Sequence, residues 1–122
     1  MTAGYLDTNI LIAYFGGDVM ARKALERFSP LRLPAIAYAE FLSGLKDERE
    51  RSTLDEILHK LFEIVQTDTA ICREAAHLRR ESRLKLMDAL IYATARAGGG
   101  SLITRDKDFD KSWPDVYIPD YG

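Results

Sequence analysis

Short, mostly apolar segments alternate with longer amphipathic segments along this chain, and this alternation constrains the fold more than any other feature. The apolar segments have the length and composition of buried strands and span residues 4–6, 31–33, 63–65, 101–104 and 116–118. Strands separated by helices need crossover connections, which make neighbouring strands parallel and cover both faces of the sheet. We therefore predict an α/β fold, a three-layer α/β/α sandwich with a mostly parallel sheet of four to five strands.

Apolar residues at helical spacing predict six helices between these strands. One begins near Asn9, and the others cover residues 19–28, 36–45, 47–62, about 69–83 and 87–97. In the fourth helix the spacing predicts an inward stripe, formed by Leu54, Ile57, Leu58 and Leu61. Cys72, beside apolar neighbours, is expected to be an inert core residue.

The length and composition are those of an ordinary globular domain. The 122 residues suit a single domain spanning 1–122, and the 47% apolar and 30% charged fractions argue against disorder. Every apolar run falls short of the ~20 residues of a membrane helix, so no membrane association is expected. Cys72 is the only cysteine, which excludes an internal disulfide and predicts a reducing, cytoplasmic location.

The charge balance limits how this chain can bind nucleic acid. Seventeen basic and 19 acidic side chains give a net charge of −2. Such a balance excludes binding that depends mainly on bulk electrostatic attraction to phosphates. It leaves room for a local phosphate site that a metal ion assists.

Four carboxylates occupy positions where an unpartnered charge is unfavourable. Asp7 directly follows the first strand and Asp106 follows the fourth, so both belong to the carboxyl edge of the sheet, where ligands bind in such folds. Glu40 interrupts an apolar helix, and Asp88 opens the most apolar helix of the chain. Facing carboxylates repel one another unless a cation neutralises them. Oxygen ligands without His or Cys nearby indicate Mg²⁺ or Mn²⁺, which suits phosphoryl chemistry.

Each of these acids also has an ordinary structural interpretation. Asp7 or Asp88 could cap a helix, and Glu40 could belong to a structural ion pair. Asp106 and its neighbour Asp108 lie in a polar turn where solvated charge is usual. The functional interpretation therefore rests on the four acids occurring together in one fold.

The segments around these acids resemble the PIN-domain family, in particular the VapC ribonuclease toxins of toxin–antitoxin pairs. The resemblance is carried by YLDTNIL at 5–11, Ala39-Glu40, DALIYA at 88–93 and LITRDKDF at 102–109. It implies a metal-dependent endoribonuclease that leaves a 5′-phosphate and a 3′-hydroxyl. One or two Mg²⁺ or Mn²⁺ ions would be held by four acids, Asp7, Glu40, Asp88 and Asp106, with Asp108 as an alternative or a helper to Asp106. Asn9 and Thr104 match polar positions that brace the acids.

The resemblance also implies partners. An RNA substrate would need local basic residues, for which the candidates are Arg79, Arg80, Arg83 and Lys85 before Asp88, and Arg105 and Lys107 beside Asp106. For each of them a solvated helix face is the competing interpretation. A homodimer and a cognate antitoxin protein are implied as well.

Three other functions stay open on the sequence alone. A phosphatase-like or receiver-like domain would also use an aspartate at a strand end, but a phosphatase of that type needs a second Asp where this chain has Asn9. A PIN nuclease of RNA processing would carry the same acids without a toxin role. A non-catalytic PIN scaffold that binds RNA or protein is disfavoured because all four acids are present.

Overall fold

The computed structural model describes residues 1–110 and 112–119. Within these residues the strands are β1 (Gly4–Leu6), β2 (Leu31–Pro34), β3 (Glu63–Val65), β4 (Ser101–Ile103) and β5 (Val116–Tyr117). The helices are α1 (Thr8–Phe15), α2 (Val19–Leu25), α3 (Ala35–Ser43), α4 (Glu48–Leu61), α5 (Thr69–Glu81) and α6 (Leu86–Ala97). The predicted single domain also includes residues 111 and 120–122, which lie outside the described residues.

The five strands form one parallel sheet in the order β3-β2-β1-β4-β5. The predicted α/β fold is therefore confirmed. In this order β1 lies at the centre, and Leu6 is paired with Ile103 of β4. The residues that follow these two strands, Asp7 and Thr104, consequently emerge side by side at the carboxyl edge.

The central strands are buried because helices cover both faces of the sheet. Leu6, Leu102 and Ile103 have no exposed surface. A strand that is buried on both faces needs apolar side chains at every position, which explains why these strands appear in the sequence as continuous apolar runs. The small side chains of Ala89 and Ala93 let α6 pack closely in this core, where both residues are fully buried.

Aspartate side chains begin four of the helices. Each accepts a hydrogen bond from a backbone N–H of the first turn, and they are Asp7 for α1, Asp18 for α2, Asp47 for α4 and Asp68 for α5. Asp88 does not cap α6, since the cap position is Lys85 and Asp88 lies in the first turn. The predicted ends of α2 and α5 were two to three residues too late, as terminal turns commonly are.

Two predictions about burial were wrong. Leu61 is 45% exposed, and Cys72 is exposed on α5. Periodicity identifies residues that share a helix face, but it does not show how far the neighbouring element extends along that face. In α4 the anchor is Leu58, which has no exposed surface, assisted by a hydrogen bond of 2.6 Å from Tyr38 Oη to Asp55 Oδ1.

None of the helices in the described part of the chain has the length and apolar character needed to cross a membrane.

Candidate active site

Asp7 is fixed at the centre of the carboxyl edge of the sheet. Its side chain is 3% exposed. Oδ1 accepts a hydrogen bond of 2.6 Å from the backbone N–H of Asn9, and Oδ2 accepts one of 2.5 Å from Thr104 Oγ1. Burial raises the pKa of Asp7 above its ordinary value, although these hydrogen bonds act in the opposite direction. Asp7 is therefore both the cap of α1 and a carboxylate held in one orientation by the end of β4.

Three further carboxylates form a cluster beside it. Asp88, Asp106 and Asp108 each place a carboxylate oxygen within 4.8 Å of the other two. The segment after β4 is shaped by hydrogen bonds of 2.9 Å from the Asp106 N–H to Thr104 Oγ1 and from the Asp108 N–H to Asp106 Oδ1. Thr104 thus positions both Asp7 and the turn that brings Asp106 and Asp108 to Asp88. The structure places Asp108 in the cluster together with Asp106, rather than one in place of the other.

The acids influence one another electrostatically. The pKa of Asp88 is raised to about 6, first by burial and then by the negative charges of the other acids, in the order Asp106, Asp7, Asp108 and Glu40. Asp88 lies in the first turn of α6, where the helix dipole favours a negative charge. Burial and crowding of charge nevertheless outweigh that stabilisation. A carboxylate in such a field gains strongly from a neighbouring cation.

Glu40 is oriented by a residue that the sequence did not single out. Thr8 Oγ1 donates a hydrogen bond of 2.7 Å to Glu40 Oε1, which links the start of α1 to α3. Asn9, which was expected to brace the acids, does so through its backbone N–H, and its side chain is exposed. The one feature of the sequence that could have indicated this role of Thr8 is its position directly after Asp7, at the strand end that carries the site.

Comparisons with known proteins show the family to which the chain belongs. A family model described as the PIN domain matches residues 4–112. The chain belongs to the PIN-domain family. PIN domains are generally nucleases. The similar solved structures include a toxin–antitoxin complex from Klebsiella pneumoniae, in which one chain is 36% identical over 95% of this PIN domain and 97% of its own length, with a TM-score of 0.84.

More distant structures share the fold. A chain of VapBC2 from Rickettsia felis, bound to a promoter DNA fragment, is 22% identical over 98% of this chain and 99% of its own, with a TM-score of 0.76. A chain of FitAcB from Neisseria gonorrhoeae is 24% identical over 86% and 88%, with a TM-score of 0.71. Among curated proteins no sequence gives a significant match.

The donor set in this PIN domain fits a hard divalent cation. The cluster of Asp88, Asp106 and Asp108 offers carboxylate oxygens alone, which are the ligands that Mg²⁺ and Mn²⁺ prefer. Asp7 and Glu40 add negative charge close enough to raise the pKa of Asp88. The sequence-predicted acids therefore come together at one edge of the sheet, where the three clustered aspartates are the candidate metal ligands.

The basic residues proposed to contact RNA are all exposed. Arg79 and Arg80 lie in the last turn of α5, Arg83 and Lys85 lie between α5 and α6, and Lys107 lies in the turn after β4. Arg105 differs, because its Nη1 lies 3.5 Å from Oδ2 of Asp18 at the start of α2. This ion pair ties the segment that carries Asp106 to α2.

Proposed function

We propose that this PIN domain is a metal-dependent endoribonuclease that acts as the toxin of a toxin–antitoxin pair. The observation that carries the proposal is the cluster of Asp88, Asp106 and Asp108, with carboxylate oxygens within 4.8 Å of one another. Asp88 and Asp106 are half-buried and Asp108 is exposed, and carboxylates crowded in this way repel one another unless they bind a cation. Their location at the carboxyl edge of a parallel sheet is the position at which such folds bind ligands.

In this proposal each residue of the site has a role that follows from its position. Asp88, Asp106 and Asp108 would hold Mg²⁺ or Mn²⁺, and Asp7 and Glu40 would complete the acidic site. A bound ion of this type supplies a water of lowered pKa as nucleophile and polarises the phosphate. Thr104 holds the Asp7 carboxylate in place and Thr8 does the same for Glu40, so that neither side chain has to reorganise when substrate arrives. Hydrolysis of an RNA phosphodiester would leave a 5′-phosphate and a 3′-hydroxyl.

The toxin role is supported by similarity over nearly the whole chain. The 36% identical chain from Klebsiella pneumoniae belongs to a toxin–antitoxin complex and is matched over 97% of its length. We extend this to a cognate antitoxin as partner, a homodimer as the assembly and the cytoplasm as the place of action. A PIN nuclease of RNA processing is the competing role, and it would share the same acids.

Cleavage of a structured RNA pool tests the nuclease. The purified protein should cut RNA with Mg²⁺ or Mn²⁺ and not with EDTA, and an Asp7→Asn, Asp88→Asn double variant should be inactive. Asp47→Asn is the matched control, because it makes the same chemical change at an exposed helix cap where Asn also caps well. Full activity of the double variant would refute the assigned site. RNA binding without cleavage under any divalent metal would favour a scaffold instead.

Growth tests the biological role. Expression of the protein alone should arrest growth of a bacterial host, and Asp88→Asn should abolish the arrest at equal protein levels. Co-expression of a small protein encoded beside this gene should restore growth if that protein is the antitoxin. Normal growth on expression of a catalytically active protein would favour RNA processing over toxicity.

A further inference from the structure

A cleft lies between the end of α5, α6 and the residues before β5. It has a volume of about 280 Å³, and its lining includes Leu78, Glu81, Ser82, Tyr92, Arg96 and Trp113. These residues belong to none of the functions assigned above. A cleft of this size accommodates one planar ring system of a ligand.

One wall of the cleft is a rigid aromatic pair. Trp113 stacks on Tyr92 with ring centroids 5.1 Å apart and planes inclined by 3°. Tyr92 is itself fixed, since its hydroxyl donates a hydrogen bond to Asp115 and the Arg96 guanidinium lies 5.6 Å from its ring centroid. Trp113 therefore presents an indole whose plane is set before any ligand binds. Tyr92 covers only one of the two faces of this indole.

The aromatic pair is joined to the acidic site. Tyr92 lies one helical turn after Asp88 on α6, about 6 Å along the helix axis. Phe109, the residue after Asp108, packs edge-on against Tyr92 with ring centroids 5.9 Å apart. The two segments that carry the clustered aspartates thus also build the wall of the cleft. The cleft is therefore connected, through Tyr92 and Phe109, to the segments at which the proposed function places the RNA.

The polar groups of the cleft define what can enter. Arg96 already lies 3.6 Å from Glu74 and 3.8 Å from Asp115, and the hydroxyl of Ser82 donates to the Leu78 carbonyl at 2.6 Å. The groups that remain available to a ligand are the exposed carboxylate of Glu81 and the terminal nitrogens of Arg96, whose two ion pairs involve Nε alone. A carboxylate beside an aromatic ring favours a planar ligand with adjacent N–H donors.

We infer that this cleft binds a guanine base of the RNA substrate, with the base stacked on Trp113 and its N1–H and N2–H groups donating to Glu81. Guanine is the one common RNA base that presents two neighbouring N–H donors, the arrangement that a carboxylate accepts. Stacking on an aromatic side chain is a usual source of affinity for single-stranded RNA. This inference rests on the proposed function and adds a base preference to it.

Trp113 is the only tryptophan of the chain and reports on its own cleft. Its fluorescence is titrated in EDTA, so that cleavage does not intervene, with four pentanucleotides that carry G, A, C or U at the centre of a uridine background. The guanine oligonucleotide should quench Trp113 and bind at least about fivefold more tightly than the uridine one. Glu81→Gln should remove this preference, whereas Glu26→Gln, at the exposed position that follows α2, should retain it.

Cleavage kinetics provide the second measurement. Trp113→Ala should raise KM about tenfold for an RNA with a guanine beside the cut, with a small change in kcat. Trp113→Phe keeps a ring against Tyr92 and should recover most of this loss, which separates base binding from simple destabilisation. Equal binding of all four oligonucleotides would overturn the guanine assignment.

The outcomes separate this inference from the proposed nuclease. Metal-dependent cleavage with no response of Trp113 to any oligonucleotide would overturn the base site alone. Quenching of Trp113 by the guanine oligonucleotide, in a protein that never cleaves RNA, would support the base site and refute the proposed nuclease activity. A response to an arginine-containing peptide, with none to RNA, would overturn the inference and assign the cleft to a cationic protein partner.

Discussion

Replacing Asp88 by Asn should make the metal-free protein more stable at neutral pH and remove most of its stabilisation by Mg²⁺. The ionised Asp88 carboxylate is partly buried and faces the negative charges of Asp106, Asp7, Asp108 and Glu40. An amide at this position keeps the shape and loses the charge. The folded state of the variant is therefore relieved of repulsion that the native protein bears when no cation is bound.

The pKa of Asp88 sets the size of the effect. A rise from 3.8 to about 6 corresponds to about 3 kcal/mol, at about 1.36 kcal/mol per pKa unit. Water screens part of this interaction because Asp88 is only half-buried, so we expect a gain of about 1–2 kcal/mol. A raised carboxyl pKa destabilises the folded state fully above about pH 6, and this destabilisation fades as the pH falls towards 3.8. The advantage of the variant should disappear over the same interval.

Urea unfolding followed by the fluorescence of Trp113 measures this directly. Both proteins are unfolded in EDTA at neutral pH and again below the ordinary carboxyl pKa, and then at neutral pH with Mg²⁺. Mg²⁺ at a hundredfold excess over its dissociation constant should stabilise the native protein by about 2.7 kcal/mol, and the variant much less. A variant that is less stable than the native protein in EDTA at neutral pH would refute the reasoning. Asp47→Asn again serves as the control.

Three further predictions concern other parts of the molecule. Thr104→Val, which removes the hydroxyl that holds Asp7, should lower Mg²⁺ affinity or kcat about 10–100-fold while the circular dichroism spectrum stays unchanged. Unchanged Mg²⁺ affinity and unchanged kcat would show that this hydrogen bond has no role. Mg²⁺ affinity measured by calorimetry should increase as the pH rises through about 6, because Asp88 must lose its proton to bind, and a flat profile would contradict this. Leu58→Ala should destabilise the protein by about 2–5 kcal/mol in urea unfolding, since Leu58 is fully buried; a loss below 1 kcal/mol would contradict its anchoring role.

The sheet could be predicted because its strands are buried on both faces. In β4 the two fully buried positions, Leu102 and Ile103, both have to be apolar, and that requirement is visible in the sequence without knowledge of the neighbouring strands. The place of Asp7 beside the residues after β4 follows from the rule that parallel strands end at the same edge. For this reason Asp7 and Asp106 could be assigned to the same edge of the sheet from the sequence alone.

Contacts that depend on how helices pack could not be predicted. The hydrogen bond from Thr8 to Glu40 requires the relative positions of α1 and α3, which no local pattern specifies. The ion pair between Arg105 and Asp18 likewise depends on where α2 lies against the turn after β4. The exposure of Cys72 was missed for a different reason, because the prediction relied on its apolar neighbours, and the buried residues of α5 are Ile71, Ala75 and Leu78, which lie on another side of the helix.

The hydrogen bond between Thr104 and Asp7 joins residues 97 positions apart, across two strands that are neighbours in the sheet. During synthesis Asp7 is therefore added to the chain long before Thr104, the residue that donates this hydrogen bond. The three clustered aspartates also come from the last third of the sequence, after Leu86. Most of this protein can therefore emerge from the ribosome as a nascent chain in which the acidic site is not yet assembled. The acidic site is therefore complete only when the last third of the chain has been synthesised.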